Sequence, residues 1–164
     1  VVDKHLLDSV AVLPEVPAGP LTVLDLGAGA GLPGIPWALV RPDLSVTLVD
    51  AVQKKVAFMK AAAASLGVAG RVKGVHQRAE GKGDGLGEFD LIVSRAFMDI
   101  DRWLPLASQY VKPGGWVMAM LGQAPDEAVV EAAAKASGLQ RVSSRRFELP
   151  LSRDGRGVMV FTRR

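Results

Sequence analysis

The sequence of 164 residues contains no cysteine and only two histidines, His5 and His76. Without cysteine the chain can form no disulfide, no thiolate metal site and no iron–sulfur cluster held by cysteines. Methylation of carbon 5 of a pyrimidine through a cysteine nucleophile is excluded for the same reason. The two histidines are too few and too far apart in sequence to indicate a metal centre. We therefore expect no metal cofactor.

Long apolar runs and long polar tracts are also missing. No stretch approaches the roughly twenty apolar residues that cross a membrane, and 49% apolar with 23% charged residues argues against disorder. A chain of this length suits one buried core, so we expect a single domain over residues 1–164. We expect a cytoplasmic monomer that binds no membrane. The net charge of +3 is compatible with a nucleic-acid partner without requiring one.

Apolar segments with turn signals between them recur in a strand–helix rhythm, and several are nearly continuous in apolar residues. Such runs are typical of central parallel strands covered by helices on both faces. The pattern therefore predicts an α/β fold. The predicted strands are Thr22–Leu26, Ser45–Val49, Arg71–Val75, Phe89–Ser94, Trp116–Leu121, Arg141–Leu149 and Gly157–Arg163. The predicted helices are Ile35–Val40, Val52–Leu66, Asp101–Val111 and Asp126–Ala136.

A glycine-rich turn follows the first predicted strand. Residues 25–34 are Asp-Leu-Gly-Ala-Gly-Ala-Gly-Leu-Pro-Gly. Glycine permits positive φ and lets the backbone approach a ligand, and the next helix offers its N-terminal N–H groups. Residues 29–34 alone fit the dinucleotide pattern G-x-G-x-x-G, with Asp50 about twenty residues on as a ribose-binding carboxylate. Asp50 could also be an exposed strand end.

The longer pattern Asp-x-Gly-x-Gly-x-Gly is similar to the first motif of class I methyltransferases, which bind S-adenosylmethionine (SAM). The carboxylate of Asp25 can face the free amino group of SAM, whereas it would repel a dinucleotide pyrophosphate. The pattern therefore favours SAM over NAD. An NAD-binding or non-catalytic Rossmann module remains the alternative, although the chain has no Tyr-x-x-x-Lys pair around its only tyrosine, Tyr110.

Most of the chain resembles one family, the bacterial small-subunit rRNA guanine-N7 methyltransferases called RsmG or glucose-inhibited division protein B. The segment from Gly31 to Pro36 and the triplet Ser94-Arg95-Ala96 are its specific motifs. The other matching stretches are His5-Leu6-Leu7-Asp8-Ser9, Asp25-Leu26-Gly27, Arg41-Pro42, Leu48-Val49-Asp50, Lys54-Lys55-Val56-Ala57-Phe58, Arg78-Ala79-Glu80, Phe89-Asp90 and Lys112-Pro113-Gly114-Gly115.

The resemblance implies a Rossmann-like, seven-stranded, mostly parallel sheet with SAM at the carboxyl ends of its first strands. It implies helices before residue 1 that this sequence does not contain. It also implies SAM contacts: Gly27, Gly29, Gly31 and Leu32 around the methionine and adenosine, Asp50 on the ribose, Ala79 and Glu80 by the adenine, and Arg95 near the substrate entrance.

The implied reaction is methyl transfer to N7 of a guanine in 16S rRNA. Guanine N7 carries an unprotonated in-plane lone pair, so no general base is required and no catalytic residue is predicted. Methylation of an exocyclic amine often uses an Asn/Asp-Pro-Pro-aromatic motif after the fourth strand. This chain has Ser94-Arg95-Ala96-Phe97 there. Another RNA, a protein or a small molecule remains the alternative acceptor.

Candidate RNA contacts are Lys4, His5, Arg95, Arg145 and Arg146, with the 16S rRNA of the small ribosomal subunit as the partner. Each has a structural alternative: His5 as a helix-surface residue, Arg95 as an ion-pair partner of Asp25 or Asp99, and the later arginines as a solvated face. The aromatic residues Trp37, Phe97 and Trp103 are predicted to lie in the core. Two positions depart from the family pattern: Leu121 replaces a lysine, and Gly155-Arg156-Gly157 replaces Gly-Glu-Arg-His.

Overall fold

A computed structural model of the chain describes residues 2–95 and 98–164. Seven strands form one sheet: β1 Leu21–Leu26, β2 Leu44–Asp50, β3 Val72–His76, β4 Phe89–Arg95, β5 Val111–Leu121, β6 Leu139–Glu148 and β7 Gly155–Arg163. Five α-helices accompany them: α1 Asp8–Ala11, α2 Gly34–Val40, α3 Gln53–Ser65, α4 Ile100–Ala107 and α5 Glu127–Ala136. A π-helical segment, Val2–Leu7, precedes α1, and a 3-10 turn, Leu13–Glu15, follows it.

The strand order is β3-β2-β1-β4-β5-β7-β6. The first five of these strands pair in parallel, and β7 lies antiparallel between β5 and β6. The predicted α/β fold with a seven-stranded, mostly parallel sheet is therefore confirmed. Within residues 2–95 and 98–164, no helix is both long and apolar enough to span a membrane.

Helices cover both faces of the sheet because alternate residues of the central strands point in opposite directions. Val23 of β1 packs on the side of α2 and α3, together with the fully buried Trp37. Leu24, its neighbour, packs on the side of α4 and α5 with Trp103. The expectation that Trp37 and Trp103 belong to the core is confirmed. Phe97 lies outside the described residues.

The prediction of a helix over Asp101–Val111 is wrong at its end. Helix α4 stops at Ala107, and β5 already begins at Val111, where it pairs with Phe89. The register then shifts before the pair Leu91 and Trp116, because β5 advances by five residues where β4 advances by two. Within this irregular stretch, Gly115 lies very close to β4. A Cβ atom there would lie 2.7 Å from the carbonyl oxygen of Asp90, so only glycine fits without a shift.

Candidate active site

A cavity of about 340 Å³ lies at the carboxyl ends of the first parallel strands. Its volume is within the range of small-molecule sites. The chain leaves β1, β2, β3 and β4 on this edge, so residues distant in sequence meet there. The lining includes Gly27, Asp50, Val52, Gln77, Ala79 and Arg95. Four of the predicted cofactor residues, Gly27, Asp50, Ala79 and Arg95, are thus brought together.

Asp50, the last residue of β2, ties the glycine-rich turn to the start of α3. Its Oδ2 accepts the N–H of Gly29 at 3.0 Å, and its Oδ1 accepts the N–H of Val52 at 2.9 Å. Only 8% of the residue is exposed. Each carboxylate oxygen has two lone pairs, so each can accept one further hydrogen bond from the cavity.

The glycine-rich turn depends on its glycines for its shape. Gly27, Gly29 and Gly31 have φ of 66°, 58° and 87°, in the left-handed region that other residues rarely adopt. A Cβ atom on Gly31 would also overlap the side chain of Ile35. Gly27 lines the cavity, whereas Gly29, Gly31 and the half-buried Leu32 lie in the turn outside that lining.

The structure contradicts the expectation that Asp25 faces the ligand. The residue is fully buried, and its Oδ2 accepts the N–H of Gly34 at 2.9 Å, which fixes the turn to the start of α2. Oδ1 has no hydrogen-bond partner among the described residues. Burial, only partly offset by the Gly34 N–H and by Arg95, raises the pKa of the Asp25 carboxyl well above its ordinary value. Asp25 therefore stabilises the glycine-rich turn from the protein interior.

The loop after β3 is held by Asp84 and Tyr110, neither of which the sequence indicated as a site residue. The N–H groups of Glu80 and Leu86 donate to Asp84, and the hydroxyl of Tyr110 donates to the same carboxylate. The Tyr110 oxygen accepts the N–H of Gly81 at 2.7 Å. Glu80 itself is exposed and does not line the cavity.

These contacts change the acidity of both partners. Burial acts to raise the pKa of Asp84, but the Tyr110 hydroxyl and the loop N–H groups outweigh it, and the pKa lies below its ordinary value. Burial and Asp84 raise the pKa of Tyr110. Asp84 lies in a glycine-rich stretch, residues 82–87 (Lys-Gly-Asp-Gly-Leu-Gly), whose pattern does not by itself indicate a partner for this carboxylate.

Arg95 separates this cavity from a second one. The second cavity has a volume of about 400 Å³ and is lined by Lys4, His5, Asp8, Arg95, Met120, Leu121, Gly122 and Arg156. Nη1 of Arg95 donates to the carbonyl oxygen of Lys4 at 3.0 Å and lies 3.2 Å from Nδ1 of His5. Its carboxylate neighbour is Asp8, at 3.9 Å, in place of the anticipated Asp25 or Asp99.

The two later arginines occupy different positions. Arg145 does not line the second cavity, because its guanidinium pairs with Glu15, donates to the carbonyl oxygen of Ala11 at 2.7 Å and stacks on Phe147. Arg145 therefore holds the N-terminal segment against β6, and its contact with RNA stays a prediction. Arg146 is exposed beside the cavity, where it donates to the carbonyl oxygen of Gly122 at 2.9 Å.

Ala96, the third residue of the predicted Ser-Arg-Ala motif, lies outside the described residues. In the part of the chain that the structure describes, no three His, Cys, Asp or Glu residues are grouped to hold a metal ion.

Comparison with known proteins identifies the family to which the chain is similar. Residues 1–149 match the family described as GidB, rRNA small subunit methyltransferase G. A protein of that name from Myxococcus xanthus (strain DK1622) is 54% identical over 165 residues, which covers 99% of this chain and 75% of the relative. The namesake from Anaeromyxobacter dehalogenans (strain 2CP-C) is 51% identical over 164 residues, with the same coverages.

Solved structures share the fold at lower identity. TrmN from Thermus thermophilus superposes with a TM-score of 0.75 at 20% identity. The superposition covers 95% of this chain and 48% of TrmN. A ribosomal protein L11 methylase from Lactobacillus delbrueckii subsp. bulgaricus gives 0.75 at 18% identity, with coverages of 98% and 79%. At these identities the likeness shows the fold alone.

Proposed function

The chain belongs to the rRNA small subunit methyltransferase G family of SAM-dependent methyltransferases, and from that premise we propose that it methylates N7 of a guanine in 16S rRNA. One observation carries the proposal: Arg95 forms a wall of both cavities. A cofactor in the first cavity and a base in the second would meet at this residue. Methyl transfer needs such direct contact between donor and acceptor.

The residues of the first cavity fit SAM. Asp50 has acceptor capacity left for the two ribose hydroxyls, and Gly27 leaves room for close approach of the ligand to the backbone. Ala79 would contact the adenine, with Glu80 at the edge of that site. The buried Oδ1 of Asp25 has no hydrogen-bond partner among the described residues, and a cation nearby would favour the ionised form of this carboxylate.

The cofactor supplies a methyl group bound to a positively charged sulfur. The chain's part is to hold the guanine so that N7 lies about 3 Å from that carbon and in line with the sulfur. No proton has to leave N7, so no base is needed, and the positive charge moves from the sulfonium to the guanine. Arg95 would position the acceptor by donating to guanine O6 or to phosphate.

The second cavity supports an RNA acceptor. Lys4, His5 and Arg156 surround it, and Arg146 lies beside it. Cationic side chains at the entrance to such a site bind phosphates without regard to base sequence. Leu121 occupies the wall where the family pattern has a lysine, so these residues would supply the charge in its place.

We further propose that the protein acts as a cytoplasmic monomer.

The experiment compares acceptors. Purified protein is incubated with methyl-labelled SAM and with small ribosomal subunits, naked 16S rRNA, total RNA, total cell protein or a small-molecule cell extract, all from cells that lack the modification. The proposal predicts label in 16S rRNA. Label confined to another RNA, to protein or to small molecules would assign a different acceptor. An absence of transfer to any of them would favour the non-catalytic alternative.

A further inference from the structure

The second cavity contains one acid, Asp8, among its basic residues. Its carboxylate lies 3.9 Å from Nη1 of Arg95 and 3.5 Å from Nε of Arg156, measured from Oδ2. The side chain is only 7% exposed, yet it forms part of the cavity lining. A carboxylate in direct contact with a bound phosphate would weaken its binding, since the two anions repel.

Asp8 is held in place by the core. The neighbouring Ser9 is fully buried, and its carbonyl oxygen accepts the indole N–H of Trp37 at 2.7 Å. Trp37 itself is fully buried on α2, the helix that follows the glycine-rich turn. The position of the carboxylate is thus fixed relative to the cofactor cavity, as a specificity site requires.

The chemistry of the cavity matches guanine better than the other bases. The Watson–Crick edge of guanine presents two adjacent donors, N1–H and the 2-amino group, and a carboxylate can accept from both at once. Adenine has an acceptor at N1 and would be repelled. Met120 and Leu121 supply apolar surface for the faces of a base.

A second argument comes from the charge that develops during the reaction. Methylation at N7 makes the guanine cationic, and a site lined by arginine and lysine alone would oppose that charge. Asp8 is the neighbouring anion that would stabilise it. The same carboxylate would therefore serve both recognition of the base and the transfer step.

We propose that Asp8 binds the N1–H and 2-amino edge of the target guanine in the second cavity and so determines specificity for guanine. The inference rests on the proposed function, because it takes the second cavity as the acceptor site. It concerns selection of the base, and its test does not depend on turnover.

The test measures binding of mononucleotides to the protein saturated with S-adenosylhomocysteine (SAH). GMP, IMP, which lacks only the 2-amino group, and 1-methyl-GMP, which lacks the N1–H donor, are titrated and followed by NMR. The wild type is compared with Asp8→Asn and with Asp101→Asn, an exposed residue of α4 outside both cavities. SAH affinity of each variant reports whether the cofactor cavity is intact.

The wild type and Asp101→Asn should bind GMP about tenfold more tightly than IMP or 1-methyl-GMP, as expected for the loss of one hydrogen bond to a charged group in each analogue. In Asp8→Asn this preference should shrink to about twofold or less. If Asp8 only anchors Arg95 and Arg156, its substitution will weaken GMP and IMP equally and leave the preference unchanged, which overturns the proposal. Equal binding of all three nucleotides by the wild type overturns it without any variant. Guanine selection without label transfer to rRNA would instead count against the proposed function.

Discussion

Asp50→Ala is the substitution that most directly probes the proposed cofactor site. The carboxylate accepts the N–H groups of Gly29 and Val52 and faces the cavity with one free lone pair on each oxygen. Its removal takes away both acceptors for the ribose hydroxyls. It also releases the glycine-rich turn from the end of β2.

The size of the effect follows from those two ribose contacts. A hydrogen bond to a charged group contributes about 1.5 to 3 kcal/mol. Two of them at the lower end amount to about 3 kcal/mol, and each 1.4 kcal/mol is a factor of ten in affinity. We therefore expect Asp50→Ala to weaken SAH binding by about 100-fold or more, with any loosening of the turn adding to this.

Isothermal titration calorimetry with SAH and, separately, with NAD measures this effect. The wild type and Asp101→Ala should bind SAH with similar affinity and should not bind NAD. SAH binding by Asp50→Ala within about threefold of the wild type would refute the assignment of Asp50 to the ribose, since even one lost charged hydrogen bond exceeds that factor. Binding of NAD without SAH would refute the cofactor itself.

Three further predictions concern stability, measured by urea unfolding. Gly34→Ala should cost about 1 to 3 kcal/mol, because the added Cβ would overlap Leu48; Gly70→Ala, with open space around it, is the control and should change little. Tyr110→Phe should cost about 1 to 3 kcal/mol, because the buried N–H of Gly81 loses its acceptor; an unchanged free energy of unfolding would contradict the loop's dependence on it. Asp25 has a raised pKa in the folded state, so the wild type should lose stability as the pH rises from its ordinary pKa to the raised one, by up to about 1.4 kcal/mol per unit. Asn does not titrate, so the stability of Asp25→Asn relative to the wild type should increase over that range; a difference that stays constant as the pH rises above the ordinary aspartate pKa of about 4 would contradict the shift.

Local patterns in the sequence were sufficient to predict the strands and the glycine-rich turn. Continuous apolar runs identified the parallel strands because both of their faces are covered, and Asp50 could be placed by its distance from the turn. The pattern could not show that Asp25 is fully buried and does not line the cavity. Neighbouring residues at the end of a strand lie on opposite faces of the sheet. The contact that holds the Asp25 carboxylate, with the N–H of Gly34, forms only in the folded chain.

Contacts between distant segments account for what the sequence did not predict. Arg95 and Lys4 are 91 positions apart, and no local pattern indicates that the N-terminal segment closes one side of the second cavity. Arg145 was grouped with basic residues by composition, although its partner Glu15 lies 130 positions away. The pairing of Asp84 with Tyr110 was missed for the same reason.

The most direct test of the account is the position of the transferred methyl group. Small ribosomal subunits are methylated with labelled SAM, and one portion of the intact 16S rRNA is tested for chain cleavage by borohydride and aniline. The rest is digested to nucleosides, and the labelled nucleoside is identified by mass spectrometry. The account predicts that 7-methylguanosine carries the label. Label on a ribose or on an exocyclic amine would contradict it, because those acceptors must lose a proton and the site was assigned to one that does not. Label on another base would contradict the assignment to guanine.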